Sequence, residues 1–211
     1  MRNVWLISCS FFLIFFGFGT AQQYLVVVFN GQGRGYLALT SLFLIYGAFT
    51  ITGVFVAKLV PHLGGLKHSL LIGTCTYALF IASVALGNTP FLLLASVLGG
   101  IGAGLLWVSS AQVIADSSTT RTAGRNFALQ TAFHNAGNIA GIVAGGYFVD
   151  ALSTSGMYLA LAAAVLIGLI VLLWVEPVRE EVERRPFKVF FIFDRRMLAL
   201  FPLFFGFNFL V

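Results

Sequence analysis

Three side chains with hydrogen-bonding chemistry recur at i, i+4 and i+8 in the stretch FALQTAFHNAGNIAGIVAGGYF (127–148): Gln130, His134 and Asn138. At 100° per residue they share one sector of a helix, and Gly137, Gly141 and Gly145 fall in that sector too. Ala132, Ala136, Ile139 and Val143 lie opposite. Two amides and an imidazole can bind a polar solute, and an imidazole, with an ordinary pKa of about 6.5, can also relay a proton. The same groups have a plainer use, in which His134 pairs with Asn138 or a neighbouring helix and holds the fold together.

Other candidates are scattered. Gln22 and Gln23 are adjacent, hence 100° apart on a helix, so one of them is expected to face a given cavity and the choice stays open. Trp107 is either a cavity wall or an interfacial anchor, and its nearness to the end of its apolar run favours the anchor. Tyr46 is expected in core packing. Gly100 and Gly104, with Gly137, Gly141 and Gly145, read as close helix contacts that permit rocking. No enzyme constellation is present: there is no Ser-His-Asp grouping at a shared depth, no HExxH and no Walker loop. The glycines of NGQGRGY (30–36) lack a preceding strand and read as a tight turn. Cys9 and Cys75 stand singly in apolar runs, and His62 and His68 share a polar connector without acidic partners. The expectation is no cofactor, no metal and no nucleic-acid partner.

The elements that carry these residues are apolar spans. Hydrophobic residues make up 59% of the 211 and charged residues 9%. Mean hydropathy is +0.98. Runs of 18 or more apolar residues indicate a polytopic helical membrane protein, and the short alternating segments of an outer-membrane barrel are missing. Six spans are expected, at about 4–29, 37–60, 69–87, 90–115, 127–148 and 157–175. They form a bundle over 1–176, followed by a charged cytoplasmic linker (177–196) and an apolar run (197–211) too short to cross, the start of a seventh helix. Met1-Arg2 before an apolar run has a signal-peptide flavour, but the apolar sequence continues well beyond a short h-region, so it counts as the first span.

Charge placement sets the orientation. With the N-terminus in the cytoplasm, eleven of the twelve Lys and Arg face inward and only Arg34 faces out, which satisfies the positive-inside rule. The expected location is the plasma membrane. The net charge of +5 is therefore topological and does not indicate a nucleic-acid surface.

Six spans, a charged linker and the opening of a seventh resemble the N-terminal half of a major facilitator superfamily transporter. GGIGAG (99–104) is similar to the family's fourth-helix glycine run. Gly137, Gly141, Gly145 and Gly146 are similar to its fifth-helix glycine motif, with Ile142 where a proline is usual. GFGTAQQ from Gly17, GQGRGYLALTSLFLIYGAF from Gly31, LVPHLGGLKHSLLIGTCTYALFIA from Leu59, ASVLGGIGAGLLWVSSAQ from Ala95 and DRRMLALFPLFF from Asp194 resemble the Unc-ninety-three-like branch. The resemblance implies an all-α fold that is half of a major-facilitator-type transporter. It also implies alternating-access movement of a small solute and a partner bundle, either a missing C-terminal half or a second copy. Pro61 and His62 stand where the family's connector carries an Asp and basic residues, and the fourth-helix Arg falls at about Ser96. No carboxylate lies at mid-depth, since Asp116, Asp150 and Glu176 sit at span ends. These departures leave a second expectation open, a transporter-like protein that regulates or traffics another membrane protein.

Overall fold

The computed structural model describes residues 1–176. They form six helices: α1 (Arg2–Gly31), α2 (Gly35–His62), α3 (Leu66–Leu86), α4 (Thr89–Asp116), α5 (Ala123–Ala151) and α6 (Thr154–Leu173). The expected linker and seventh run lie outside the described residues. At about 1.5 Å per residue the four longest helices measure over 40 Å, more than the hydrocarbon layer of about 30 Å, so they tilt or project beyond it. Helices α1, α2, α3, α4 and α6 are long and apolar enough to cross a membrane. Helix α5, with 29 residues, has the length, but its amides, imidazole and glycines dilute its hydropathy.

Local sequence explains where the helices stop. Gly87 adopts φ 65, a left-handed cap that ends α3, as glycine readily does. Asn88 then caps α4 by accepting from the Phe91 N–H at 3.0 Å, with Pro90 in the first turn, where its missing N–H costs nothing. Ser153 caps α6 through the Gly156 N–H at 3.1 Å.

The helices pack in the spatial order α5–α1–α6–α3–α4–α2, and α2 and α5 do not touch. Helix α1 lies at the centre and meets all five others. Its Phe11, Ile14, Phe15 and Phe18 enter a core with Tyr77, Phe80, Leu161 and Val165, in which the Phe18 and Tyr77 rings stack at 3.9 Å. Inside a bilayer, close packing rather than water exclusion holds helices together, so small residues mark the contacts. Gly73 and Gly102 bring α3 and α4 backbone to backbone, and Gly100 sits on the Ile45 carbonyl of α2. The hydroxyls of Ser8, Thr20, Thr74 and Ser96 each donate to the carbonyl four residues back, so each is satisfied within its own helix.

Six crossings with short connectors sort the ends. One end gathers the chain start, the α2–α3 and α4–α5 connectors and the end of α6. There Arg2 pairs with Glu176 at 2.5 Å. Asn3 bonds the Glu176 backbone in both directions, and Lys67 donates to the Leu173 carbonyl at 2.7 Å. At the other end Arg34 donates to Thr89 Oγ1 at 2.6 Å and Ser155 to the Ala85 carbonyl at 3.0 Å. Of the six described Lys and Arg, only Arg34 lies at this second end.

Candidate functional site

Because α2 and α5 stay apart, α1 is accessible between them, and a cleft of ≈ 360 Å³ opens there. Gly19, Gln22, Gln23 and Val26 of α1 form its floor, Leu42 and Tyr46 of α2 one wall, and Asn138 and Ile142 of α5 the other. The polar lining is made of amides and a phenol, with no carboxylate and no cation.

Helix α5 reaches this position through its glycines. Gly137 lies on the Phe12 carbonyl, Gly141 on the Phe16 carbonyl and Thr20, and Gly145 on Thr20 and Tyr24. A stripe without side chains lets the two backbones approach, and Asn138, one residue past Gly137, is carried to the edge of the contact. Its side-chain oxygen packs against Gly19, where a Cβ on the glycine would collide with it. Its Nδ2 reaches His134 Nε2 at 3.1 Å and the His134 carbonyl at 3.3 Å. His134 Nδ1 lies 3.0 Å from Asn135 Oδ1. A carbonyl oxygen only accepts, so Nδ1 carries the proton and Nε2 accepts from Asn138. Both ring nitrogens are thus engaged within α5. The imidazole also lies edge-on to Phe15, at 4.2 Å between ring centres, and to Trp107 at 5.2 Å.

Gln130, on the same face, goes elsewhere. It is buried, and its Nε2 donates to Ser110 Oγ of α4 at 3.3 Å, bracing α5 against α4. The stripe on α5 therefore divides along its length: Gln130 holds α4, His134 meets the aromatic cluster, and Asn138 faces the cleft.

Three expectations are corrected by this geometry. Gln22 and Gln23 both line the cleft, because an opening three helices wide accepts side chains from either side of one helix face. Gln22 Nε2 is buried there without a hydrogen-bond partner. Trp107 is no interfacial anchor: it packs on Phe11 at 5.3 Å and Phe15 at 5.4 Å, in the interior. Tyr46 is not core but 55% exposed, on the cleft wall. Gly100 and Gly104 abut Ile45, Ala48 and Thr52 of α2 and do not enter the cleft. Leu42 and Val26 were not singled out by sequence, and Ile142 only as a departure from the glycine motif, since an apolar wall residue has no signature among so many others. Ser96, where the resemblance places a coupling Arg, is buried and donates to the Leu92 carbonyl at 2.7 Å.

A family model for the Major Facilitator Superfamily matches residues 4–211. The chain belongs to this superfamily. Among curated proteins, human Protein unc-93 homolog A is 29% identical over 107 residues, covering 51% of this chain and 23% of the relative. The Arabidopsis thaliana UNC93-like protein 3 is 35% identical over the same length, covering 51% and 22%. The Staphylococcus aureus quinolone resistance protein NorA is 27% identical over 169 residues, covering 78% and 43%. Among solved structures, a POT family transporter in complex with a thioalcohol-conjugated peptide superposes with a TM-score of 0.66 at 17% identity, covering 98% of this chain and 47% of that one. A D-xylose–proton symporter gives 0.58 at 18%, covering 96% and 54%. At such identities the structures speak for the fold alone, and the fold is that of a superfamily transporter. The chain spans about half of each of these structures and less than half of each relative. In this superfamily member the α2–α5 opening, and the position of the described carboxylates Asp116, Asp150 and Glu176 at or beyond helix ends, are features of its own residues.

Proposed function

We propose that this chain is one bundle of a solute transporter working by alternating access, and that the α1–α2–α5 cleft is its share of the solute's path. The observation that carries this reading is the uncharged polar cleft between two helices that do not touch, with Gln22 Nε2 buried and unpartnered inside it. A buried donor without a partner costs on the order of 1–3 kcal/mol, a cost that a solute carbonyl or hydroxyl removes. The solute is a neutral, hydrogen-bonding molecule, because amides and a phenol offer donors and acceptors but no counter-charge. A second bundle, from a longer polypeptide or a second copy, closes the path, and rocking of one bundle against the other exchanges access.

The test is solute flux in liposomes with the protein as it occurs in its native membrane. Asn138→Ala and Gln22→Leu each lower flux about tenfold or more, with insertion and melting temperature near wild type. Normal flux from both variants sinks the assignment. His134→Ala lowers flux less directly, by releasing Asn138. A second reading, a regulatory partner of another membrane protein, is favoured by one observation: both nitrogens of His134 are already engaged inside α5, which leaves the ring no open valence for a solute. Absence of flux together with stoichiometric co-purification of one membrane protein would select it.

A further inference from the structure

A second cavity lies at the basic end of the bundle, away from the cleft. It is a groove of ≈ 480 Å³ between the first turns of α1 and α5, lined by Val4 and Trp5 on one side and by Arg125, Ala128, Leu129 and Ala132 on the other. We propose that this groove binds one anionic phospholipid, with its phosphate on Arg125 and an acyl chain along Ala128, Leu129 and Ala132.

Depth supports the assignment. Helix α5 has 29 residues and at about 1.5 Å per residue outreaches the hydrocarbon layer by roughly 6 Å at each end. Arg125 is its third residue, which places the guanidinium among headgroups. Leu129 and Ala132 follow about 6 and 10 Å deeper, at the level of acyl chains. Trp5, 48% exposed and edge-on to Phe133 at 5.9 Å, stands at the same interfacial level, where indoles are favoured.

Charge supports it too. Among the described residues Arg125 pairs with no carboxylate, and its guanidinium donates to the Met1 sulfur at 3.6 Å. The two carboxylates at this end among the described residues are already engaged: Glu176 pairs with Arg2, and Asp116 accepts from Gln112 at 2.8 Å. Arg2, Lys58, Lys67, Arg121 and Arg125 outnumber them, so the described residues at this end carry a net positive charge. A guanidinium fork matches two phosphate oxygens in one plane, and basic pockets between spans collect anionic headgroups. An apolar channel running inward from that fork selects a lipid over a free phosphate ion.

The test is native mass spectrometry of the full chain purified in detergent carrying equal amounts of dioleoyl phosphatidylglycerol and dioleoyl phosphatidylcholine. One phosphatidylglycerol is expected to stay bound in preference to phosphatidylcholine. Arg125→Gln lowers its retention about fivefold or more, and Ala132→Phe does the same by filling the groove with the cation in place. Arg121→Gln, in the adjoining connector but outside the groove, retains lipid like wild type. An equal loss in the Arg121 variant overturns the site in favour of diffuse charge. Indifference to Ala132→Phe overturns it in favour of a groove covered by other polypeptide. A measurement independent of folding of the variants uses brominated acyl chains: brominated phosphatidylglycerol quenches Trp5 fluorescence more than brominated phosphatidylcholine does. Trp5→Phe removes the difference, and equal quenching by the two lipids refutes the proposal.

Discussion

The α1–α5 contact makes a prediction that two glycines of one helix can decide. Replacing Gly141 with Ala puts a methyl onto the Phe16 carbonyl oxygen and Thr20 Oγ1. Neither can swing aside: the first is backbone, and the second is pinned by its own 2.7 Å bond to that same carbonyl. The helices must separate, and overpacking of this kind costs about 1–3 kcal/mol. Replacing Gly146 with Ala puts the methyl 3.6 Å from the Tyr24 hydroxyl, an ordinary contact. Both substitutions gain helix propensity of about 0.8–1 kcal/mol, which cancels when they are compared. Gly141→Ala should therefore melt below Gly146→Ala by about 1–3 kcal/mol, or roughly 3–9 °C for a domain of this size. The assay is thermal unfolding of the purified protein in one detergent, followed by size-exclusion fluorescence. Equal melting temperatures, or a more stable Gly141→Ala, would refute the close approach of α1 and α5 on which the position of Asn138 depends.

Two further outcomes follow from side-chain partners. Gln130→Leu removes the donor to Ser110 and loosens α5 from α4, with a stability loss of about 0.6–2 kcal/mol, typical of interhelical hydrogen bonds in membranes. Solute affinity should not change, and a large affinity loss would place Gln130 in the solute path after all. Gly19→Ala drives a methyl into the Asn138 side-chain oxygen and should displace the amide and lower flux nearly as much as Asn138→Ala; flux at wild-type level would show that the amide's position does not matter.

The spans were readable because each is a long apolar run punctuated by Gly, Pro, Asn or charge. The observed helices extend the expected ones by a few residues at most ends, as with α5 starting at Ala123 rather than Phe127. Periodicity also grouped Gln130, His134, Asn138 and the three glycines correctly on one face. It could not say that this face meets three different neighbours along its length, because periodicity fixes an angle around one helix and nothing about what stands opposite. Gln22 and Gln23 show the same limit in another form. The 100° between them is real, but the width of the opening decides whether both enter, and that width is set by the absence of any α2–α5 contact. Tyr46 and Trp107 were exchanged for a related reason. An aromatic residue near a span end and one near a span centre have different average preferences, yet Trp107 lies beside Phe11 and Phe15 only because α1 fills the middle of the bundle.

Unpartnered hydroxyls do not mark one surface, since those of Ser10, Ser41, Ser109 and Tyr158 are buried away from the cleft, but the placement of amide side chains separates the surfaces of the bundle. Ser8, Thr20, Thr74 and Ser96 are closed within their own helices, Gln130 is closed between α5 and α4, and His134 is closed by Asn135 and Asn138. Beyond its first turn α6 exposes Leu159, Leu166, Ile167, Ile170 and Leu173, all apolar, and such a face is at ease in lipid tails. The α2–α5 opening is different, because Gln22, Gln23, Tyr46 and Asn138 share it. Hydrocarbon cannot hydrogen-bond to amides, and each one left against it would cost several kcal/mol. The apolar face of α6 therefore suits lipid tails, while the amides of the opening call for hydrogen-bonding surroundings, and this contrast is what supports placing the proposed solute path where the helices fail to meet.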